Sequence, residues 1–281
     1  PEASHALGEF GDAVVGSLQD YLVDPSVTIT AKREIPAILE RVGTSSSARV
    51  LYENLLERDT TLRFRIICAL NKLQSRHPEV ESDTQMLETA LAAEIIGHYR
   101  SYQILAKLNP TPDSQDPASQ ALNESMRQEL ERIFRLLGLL YPHVDVHSAY
   151  LGLQSTQLTV YDDALEFLDN VLKSSLRTVL VPLLDGRVSV PQRAVTADRL
   201  LQAKIEDQEQ AVQALVRSED PWLRSCGAYA IGTLRLKSLE AELIRCLNDA
   251  DPLLRETARA AKQRLEEFAK DENATQWATA R

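Results

Sequence analysis

The sequence predicts an all-α fold made of stacked helix pairs, with longer and less regular helices in the middle of the chain. The 281 residues are 44% hydrophobic but only 5% aromatic, with ten glycines. A chain poor in aromatic residues and glycine but rich in leucine and alanine favours helices over strands. Two further observations agree with this: a short pattern recurs along the chain, and the apolar residues between its copies follow a helical period.

Each copy of the recurring pattern begins at an aspartate. Asp220 opens DPWLRSCGAYAIGTL, and Asp251 opens DPLLRETARAAKQRL 31 residues later (251 − 220). A third copy, DTTLRFRIICALNKL, begins at Asp59. Leucine, arginine, alanine and leucine stand 3, 4, 10 and 14 residues after each aspartate, and apolar residues stand 8 and 4 residues before it.

These offsets predict a helix, a tight turn and a second helix in every copy. The two upstream positions lie four apart and therefore share one face of the first helix. The aspartate can cap the second helix, and Pro221 and Pro252 then occupy its first position, where a missing N–H costs nothing. A single helix pair buries too little apolar surface, so the copies must stack. A looser copy spans residues 7–43, where Asp24 and Pro25 precede Arg33 by enough residues to predict an insertion in the turn.

The middle of the chain keeps a helical period but loses the repeat. Three stripes predict three helices longer than those of the repeats, and we expect each stripe to pack into the core. A groove for a partner helix is the alternative interpretation. The stripes are Leu87, Leu91, Ile95, Tyr102 and Leu105; Leu122, Met126, Leu130, Ile133, Leu137 and Leu140; and Leu165, Leu168, Leu172, Leu176, Val179 and Leu183. The proline-broken stretch 109–118 predicts a loop.

We therefore divide the chain into N-terminal repeats (1–80), a long-helix middle segment of the same solenoid (81–187), C-terminal repeats (188–270) and a frayed tail (271–281). Because the chain begins at Pro1 within a helical pattern, we expect it to be a piece of a longer protein. We expect no signal peptide, and the sequence contains no apolar run near the ~20 residues of a membrane helix.

The Asp-Pro-x-Leu-Arg turn resembles the HEAT repeat, and its length is nearest to the PBS-lyase-type HEAT-like repeat. The resemblance implies a right-handed α-solenoid. It also implies a structural ladder, in which the turn aspartate and the arginine bond between successive repeats. Carried onto this sequence, the ladder comprises Asp59, Arg63, Asp220, Arg224, Asp251 and Arg255.

A narrower resemblance involves IICALNKLQSRHPEVESD, LAAEIIGHYRSYQILAKL and the segment from Ser148 to Asp185. They are similar to the helical-repeat region attached to bacterial membrane proteins of the ATP/ADP-carrier type. This resemblance implies that the protein lies in the cytoplasm, at the inner face of a membrane. It also implies that a membrane protein is the candidate partner. It assigns no transport activity to any residue here.

The net charge of −10 counts against nucleic acid and against an anionic membrane surface as partners. Cys68, Cys226 and Cys246 form no Cys-x-x-Cys pair, and their odd number gives no disulfide framework, so we expect buried, reduced thiols. No glycine-rich phosphate loop and no Gly-x-Ser-x-Gly motif occurs. The sequence predicts no cofactor.

Two groups of residues could carry chemistry, and each has a simpler interpretation. His143, Asp145 and His147 alternate like metal ligands on a strand, but a loop in which Asp145 caps a helix explains them better. Glu94 and His98 share a helix face and could form an acid–base pair, or an ordinary surface pair. We predict neither a metal site nor a catalytic residue.

Basic and aromatic residues on the second helices are the candidate partner-binding residues, because arginine and tyrosine anchor protein interfaces. A solvated face is the alternative. The candidates are Arg65, Lys72, Arg76, His98, Tyr99, Arg100 and Tyr102. The sequence thus favours a non-enzymatic scaffold for protein–protein interaction. The alternatives are a HEAT-like enzyme of the DNA glycosylase or bilin lyase class, and a small-ligand sensor in the middle segment.

Overall fold

A computed structural model describes the backbone of residues 11–108 and 116–279, and the side chains of that part up to residue 270. All regular structure in these residues is helical, which confirms the all-α prediction for them. The α-helices are α1 (Val15–Val23), α2 (Ile29–Lys32), α3 (Ile35–Val42), α4 (Ser45–Glu53), α5 (Thr60–Arg76), α6 (Thr84–Leu108), α7 (Pro117–Leu140), α8 (Val146–Gly152), α9 (Leu158–Val171), α10 (Ser174–Leu184), α11 (Val190–Leu201), α12 (Gln208–Val216), α13 (Pro221–Thr233), α14 (Glu240–Cys246) and α15 (Pro252–Thr279). Short 3₁₀ turns precede α1 and α14.

The chain forms two compact units, and each is discontinuous in sequence. Unit 1 comprises residues 1–97 and 129–187, and unit 2 comprises residues 98–128 and 188–281. Helices α6 and α7 therefore contribute residues to both units. The division of the chain at residues 80, 187 and 270 stays a prediction.

The three repeat turns form as their sequences predict. The carboxylate of Asp59 accepts a hydrogen bond from the Leu62 amide at 2.8 Å and caps α5. Asp220 caps α13 and Asp251 caps α15 in the same way. Pro221 and Pro252 are the first residues of these helices, as expected of a residue without an N–H donor.

The looser first copy contains the predicted insertion. Asp24 does not cap a long helix; its carboxylate accepts from the Ser26 amide at 2.8 Å. The short helix α2 follows, and Arg33 comes directly after it. The turn thus contains one extra helical turn before the second helix, α3, begins.

In both units the second helices of successive repeats pack on each other. In unit 1, α5 packs against α3 and α4; in unit 2, α15 packs against α13 and α14. The repeat alanines Ala69, Ala230 and Ala261 are buried, and Ala261 lies where α15 meets Gly232 of α13. Close approach is needed: a Cβ on Gly232 would lie 2.8 Å from the Cα of Ala261.

Two of the three predicted long helices are present, and the third is not. Helices α6 and α7 contain 25 and 24 residues. The third stripe is divided between α9 and α10, so the prediction of one long helix is wrong there. Leu172 and Lys173 adopt extended backbone (ψ 142° and 145°), and this break places the Leu172 side chain in the core.

Most residues of the three stripes are buried, as predicted, while Tyr102, Leu130, Leu140, Leu176 and Val179 are half-buried. The predicted loop 109–118 lies mostly outside the described residues. The predicted tail, 271–281, lies outside the residues with described side chains, and the backbone of α15 is helical up to Thr279. Within the described ranges, no helix has the length and apolarity that crossing a membrane would require.

Candidate interaction site

The predicted ladder does not form as expected, because the described side-chain hydrogen bonds of Arg63, Arg224 and Arg255 go to acceptors other than Asp59, Asp220 and Asp251. Asp59 receives two hydrogen bonds from Arg33 of the preceding repeat, at 3.0 and 2.7 Å. Arg224 reaches forward to the carboxylate of Asp249 at 2.6 Å instead of that of Asp251. Arg255 donates to the carbonyl oxygens of Asp249 and Ala250. The described hydrogen bonds of the Asp220 and Asp251 carboxylates are the helix caps given above.

Arg63 of α5 and Arg132 of α7 form a charge cluster around Glu94 of α6. Nε of Arg63 donates to Oε1 of Glu94 at 2.7 Å, and Nε of Arg132 donates to Oε2 of the same carboxylate at 3.0 Å. Glu94 and Arg132 are both buried. Both oxygens of Glu94 are thus engaged by guanidinium donors, which is the geometry of a structural ion pair and a poor one for a general base.

The four α6 candidates for partner binding differ in exposure. His98 and Tyr99 are buried, Tyr102 is half-buried and Arg100 is exposed. The rings of His98 and Tyr102 meet edge to face at 5.3 Å, and burial raises the pKa of Tyr99. In unit 2 the guanidinium carbon of Arg193 also lies over the Tyr102 ring, 4.8 Å from the ring centre. His98 and Tyr99 could therefore touch a partner only after α6 rearranges.

The α5 candidates lie on two faces. Arg65 is exposed and donates to the Arg33 carbonyl at 2.8 Å and to the Glu34 carboxylate at 2.6 Å. Lys72 and Arg76 lie on the other face, where they line an open groove of about 450 Å³ in unit 1. We call this the α5–α7 groove. Its lining residues are Phe64, Cys68, Asn71, Lys72, Ser75 and Arg76 of α5 and Arg135 of α7.

Sequence reasoning found two of these seven residues. Phe64, Cys68, Asn71, Lys72, Ser75 and Arg76 follow each other at steps of three, four and one, so the helical period could have placed all six on one face. No comparable sequence pattern could have placed Arg135 in the groove. Arg135 belongs to another helix, where Glu131 holds its guanidinium with two bonds of 2.9 and 2.6 Å, and the Phe64 ring lies 5.4 Å away.

The environments of the three cysteines do not favour a reactive thiolate. All three are free; Cys226 and Cys246 are buried as predicted, whereas Cys68 is only half-buried, so that part of the prediction is wrong. Cys68 faces the open groove, which explains its exposure. Burial raises the pKa of Cys68 and of Cys246, and raises the pKa of Cys226 to about 11. A thiol with a raised pKa stays protonated near neutral pH and is a weak nucleophile.

A second pocket, of about 240 Å³, lies between α13 and α15 in unit 2. It is largely apolar, and the side chains of Trp222 and Leu253 at its edge are about half exposed. Ser225 and Tyr229 line it from α13. These two residues stand 5 and 9 positions after Asp220, as Phe64 and Cys68 do after Asp59. The same two positions of the repeat thus face a pocket in each unit.

His143, Asp145 and His147, which could have been metal ligands, lie at the start of helix α8. Asp145 caps α8, accepting from the Ser148 amide at 3.0 Å and from the Ser148 hydroxyl at 2.6 Å. This confirms the capping interpretation of the His143–His147 stretch. Among the described residues, no three His, Cys, Asp or Glu side chains lie close enough to hold a metal ion.

Comparison with known proteins adds little. No family model matches the chain, and no curated protein matches it. Human deoxyhypusine hydroxylase, solved in complex with glycerol, is among the solved structures that do match. The two chains are 18% identical over 95% of this chain and 99% of that chain, with a TM-score of 0.27. A likeness of this strength carries no inference about fold or activity.

Proposed function

We propose that this protein is a non-enzymatic helical-repeat scaffold that binds partner proteins through pockets on its second helices. The observation that supports this most directly is the recurrence of pocket-lining positions. Positions 5 and 9 after the repeat aspartate face a pocket in unit 1 and again in unit 2. Repeat proteins use the same positions of successive repeats to build binding surfaces, because each repeat presents the same face.

The polar clusters of unit 1 fit a structural role better than a catalytic one. Glu94 is held by Arg63 and Arg132, and Asp59 is held by Arg33 and by its own helix. The groove, in contrast, is open, with an exposed lysine and an exposed arginine, and the half-buried Arg135 guanidinium lies by the Phe64 ring. Aromatic and arginine side chains are enriched where proteins bind each other.

The resemblance to the HEAT family and to the helical region of carrier-like membrane proteins gives this proposal its finer form. The right-handed sense of the solenoid and the assignment to the HEAT family rest on that resemblance. By the same reasoning the scaffold is a cytoplasmic module that regulates or assembles around a transporter-like membrane protein. These points are proposals.

Site-specific photo-crosslinking tests the proposal. A benzophenone amino acid replaces Ser75 in the α5–α7 groove, and in a matched control it replaces the exposed Glu166 of α9. Each variant is irradiated in cytosol and in solubilised membranes of the source cell, and adducts are identified by mass spectrometry. We expect discrete protein adducts at position 75 that are missing at position 166.

Identical adducts at both positions, or none at position 75, would contradict a binding role for the groove. A membrane protein among the specific adducts supports the transporter-linked form. Specific adducts with soluble proteins alone retain the scaffold and overturn the link to a transporter.

A further inference from the structure

The α5–α7 groove has the length of a short peptide. Its α5 wall begins at Phe64 and ends at Arg76, twelve residues along the helix. At 1.5 Å per residue this wall is about 18 Å long. An extended peptide rises about 3.3 Å per residue, so five or six residues span the wall.

The charges exposed in the groove are positive. At the Arg76 end, the guanidinium pairs with Glu40, but the two side chains differ greatly in exposure: Arg76 is 61% exposed and Glu40 only 8%. The carboxylate therefore lies beneath the cation, and the surface presents the guanidinium. Lys72 is also exposed, and no described residue forms an ion pair with it. This face is basic on a chain whose net charge is −10.

The Phe64 end of the groove suits an apolar side chain. The Phe64 ring and the neutral thiol of Cys68 form its floor, and Arg135 borders the ring at 5.4 Å. Glu131 fixes the Arg135 guanidinium with two hydrogen bonds, so the side chain is already ordered before anything binds. An aromatic side chain placed there would contact one ring and one cation at little entropic cost.

We propose that the groove binds an acidic segment of a partner protein, five or six residues long and extended, with one aromatic or aliphatic residue near Phe64. Its carboxylates would accept hydrogen bonds from Lys72 and Arg76. The proposal rests on the scaffold function above and names the chemistry of the partner. An acidic peptide is favoured over nucleic acid because the rest of the chain carries an excess of negative charge. That charge repels a long phosphate backbone, most of which would lie outside the groove, more strongly than a short segment that lies beside Lys72 and Arg76.

Fluorescence anisotropy with three labelled probes tests this. The probes are the peptide EDEFDE, its uncharged amide counterpart QNQFNQ, and a single-stranded DNA of about twenty nucleotides, long enough to extend well beyond the groove. They are titrated with the whole chain, with Lys72→Glu and with the matched control Arg49→Glu. Arg49 lies on α4 in the same unit, its side chain is 68% exposed, and its reversal changes the net charge by the same amount.

We expect EDEFDE to bind, QNQFNQ and the DNA to bind at least about tenfold more weakly, and Lys72→Glu to weaken EDEFDE about tenfold or more. Arg49→Glu should leave the affinity within about twofold, and raising the salt concentration should weaken binding. Equal affinity for both peptides, equal loss in both variants, tighter binding of the DNA, or no binding of EDEFDE at millimolar concentration would each overturn the proposal. If the benzophenone at position 75 then still captures specific proteins, the scaffold function stands and only the acidic character of the partner is wrong.

Discussion

At the scale of single residues, equivalent positions of the repeat form different hydrogen bonds in the two units. Asp59 and Asp251 both cap the second helix of a repeat. Asp59 also receives the two bonds of Arg33, whereas no described guanidinium bonds to the Asp251 carboxylate. Asparagine caps a helix about as well as aspartate, so the change to asparagine separates the cap from the ion pair.

We expect Asp59→Asn to lower the free energy of unfolding by about 1–2 kcal/mol at neutral pH, because Arg33 loses a charged acceptor in a half-buried place. The matched variant Asp251→Asn should change it by less than about 0.5 kcal/mol. Urea unfolding followed by circular dichroism measures both. Equal losses in the two variants would contradict a specific contribution of the Arg33–Asp59 ion pair to stability.

The stability that Asp59 contributes should also depend on pH. Burial alone would raise the pKa of Asp59, but the hydrogen bonds from Arg33 and the Leu62 amide, with the charges of Arg33 and Arg63, outweigh burial and lower the pKa below its ordinary value of 3.8. A carboxyl whose pKa is lower in the folded state stabilises the fold above the unfolded value, and this contribution is lost as the pH falls through the folded value.

The difference in unfolding free energy between the wild-type chain and Asp59→Asn should therefore be constant from pH 7 to about pH 5 and shrink below about pH 4. Comparing the two chains at each pH cancels the titration of all other carboxyls. A difference that stays constant down to pH 3 would contradict the assigned ion pair.

At the scale of elements, small residues decide how closely the second helices approach. Gly232 of α13 lies against Ala261 of α15, and a Cβ there would meet backbone, which does not move aside as a flexible side chain can. Gly97 of α6 is the matched control, because a Cβ at that position would meet nothing within 4 Å.

We expect Gly232→Ala to destabilise unit 2 by about 1–3 kcal/mol despite the better helix propensity of alanine. Gly97→Ala should stabilise the chain by up to about 1 kcal/mol, because glycine loses more backbone entropy on folding. Thermal unfolding of the two variants beside the wild-type chain measures both. A stabilising Gly232→Ala would show that α13 and α15 are farther apart than described.

At the scale of the whole molecule, the core of unit 2 is assembled from two distant segments. Buried side chains of residues 98–128 pack in one cluster with those of residues 205–265: they are Ile104, Leu105, Leu108, Ala118, Ala121, Leu122 and Met126. Burial of these seven side chains contributes on the order of 10 kcal/mol, which is as large as the net stability of a typical domain. We therefore expect the C-terminal repeats to need residues 98–128 in order to fold.

A fragment of residues 188–281 should accordingly show no cooperative thermal transition, and adding the peptide 98–128 should restore one. The same peptide with Leu122→Asp should fail, because that side chain is buried, while a peptide with the change Asn123→Asp at an exposed position should succeed. Circular dichroism during heating is the measurement. A cooperative transition of 188–281 alone would show that the repeats fold without residues 98–128.

The sequence by itself determined the local features of this protein. Helical periodicity and cap chemistry act over one or two turns, so they predicted the all-α class, the capped repeat turns at Asp59, Asp220 and Asp251, the insertion before Arg33 and the burial of most leucine stripes. Helical periodicity predicted one continuous helix through Leu172, and that prediction was wrong. The backbone leaves the helix at Leu172 and Lys173, where the Leu172 side chain packs into the core of unit 1, and this packing outweighs the local preference for helix.

Only the tertiary structure decided which residues meet. The pairing of Arg33 with Asp59, the burial of His98 and Tyr99, and the place of Arg135 beside Phe64 depend on contacts between residues far apart in the sequence. The helical period places a side chain on a face, but it does not say what covers that face. For this reason two residues of α5 in the groove, Lys72 and Arg76, could be predicted as candidates from the sequence, while Arg135 of the groove and the partition of the chain into two discontinuous units came from packing.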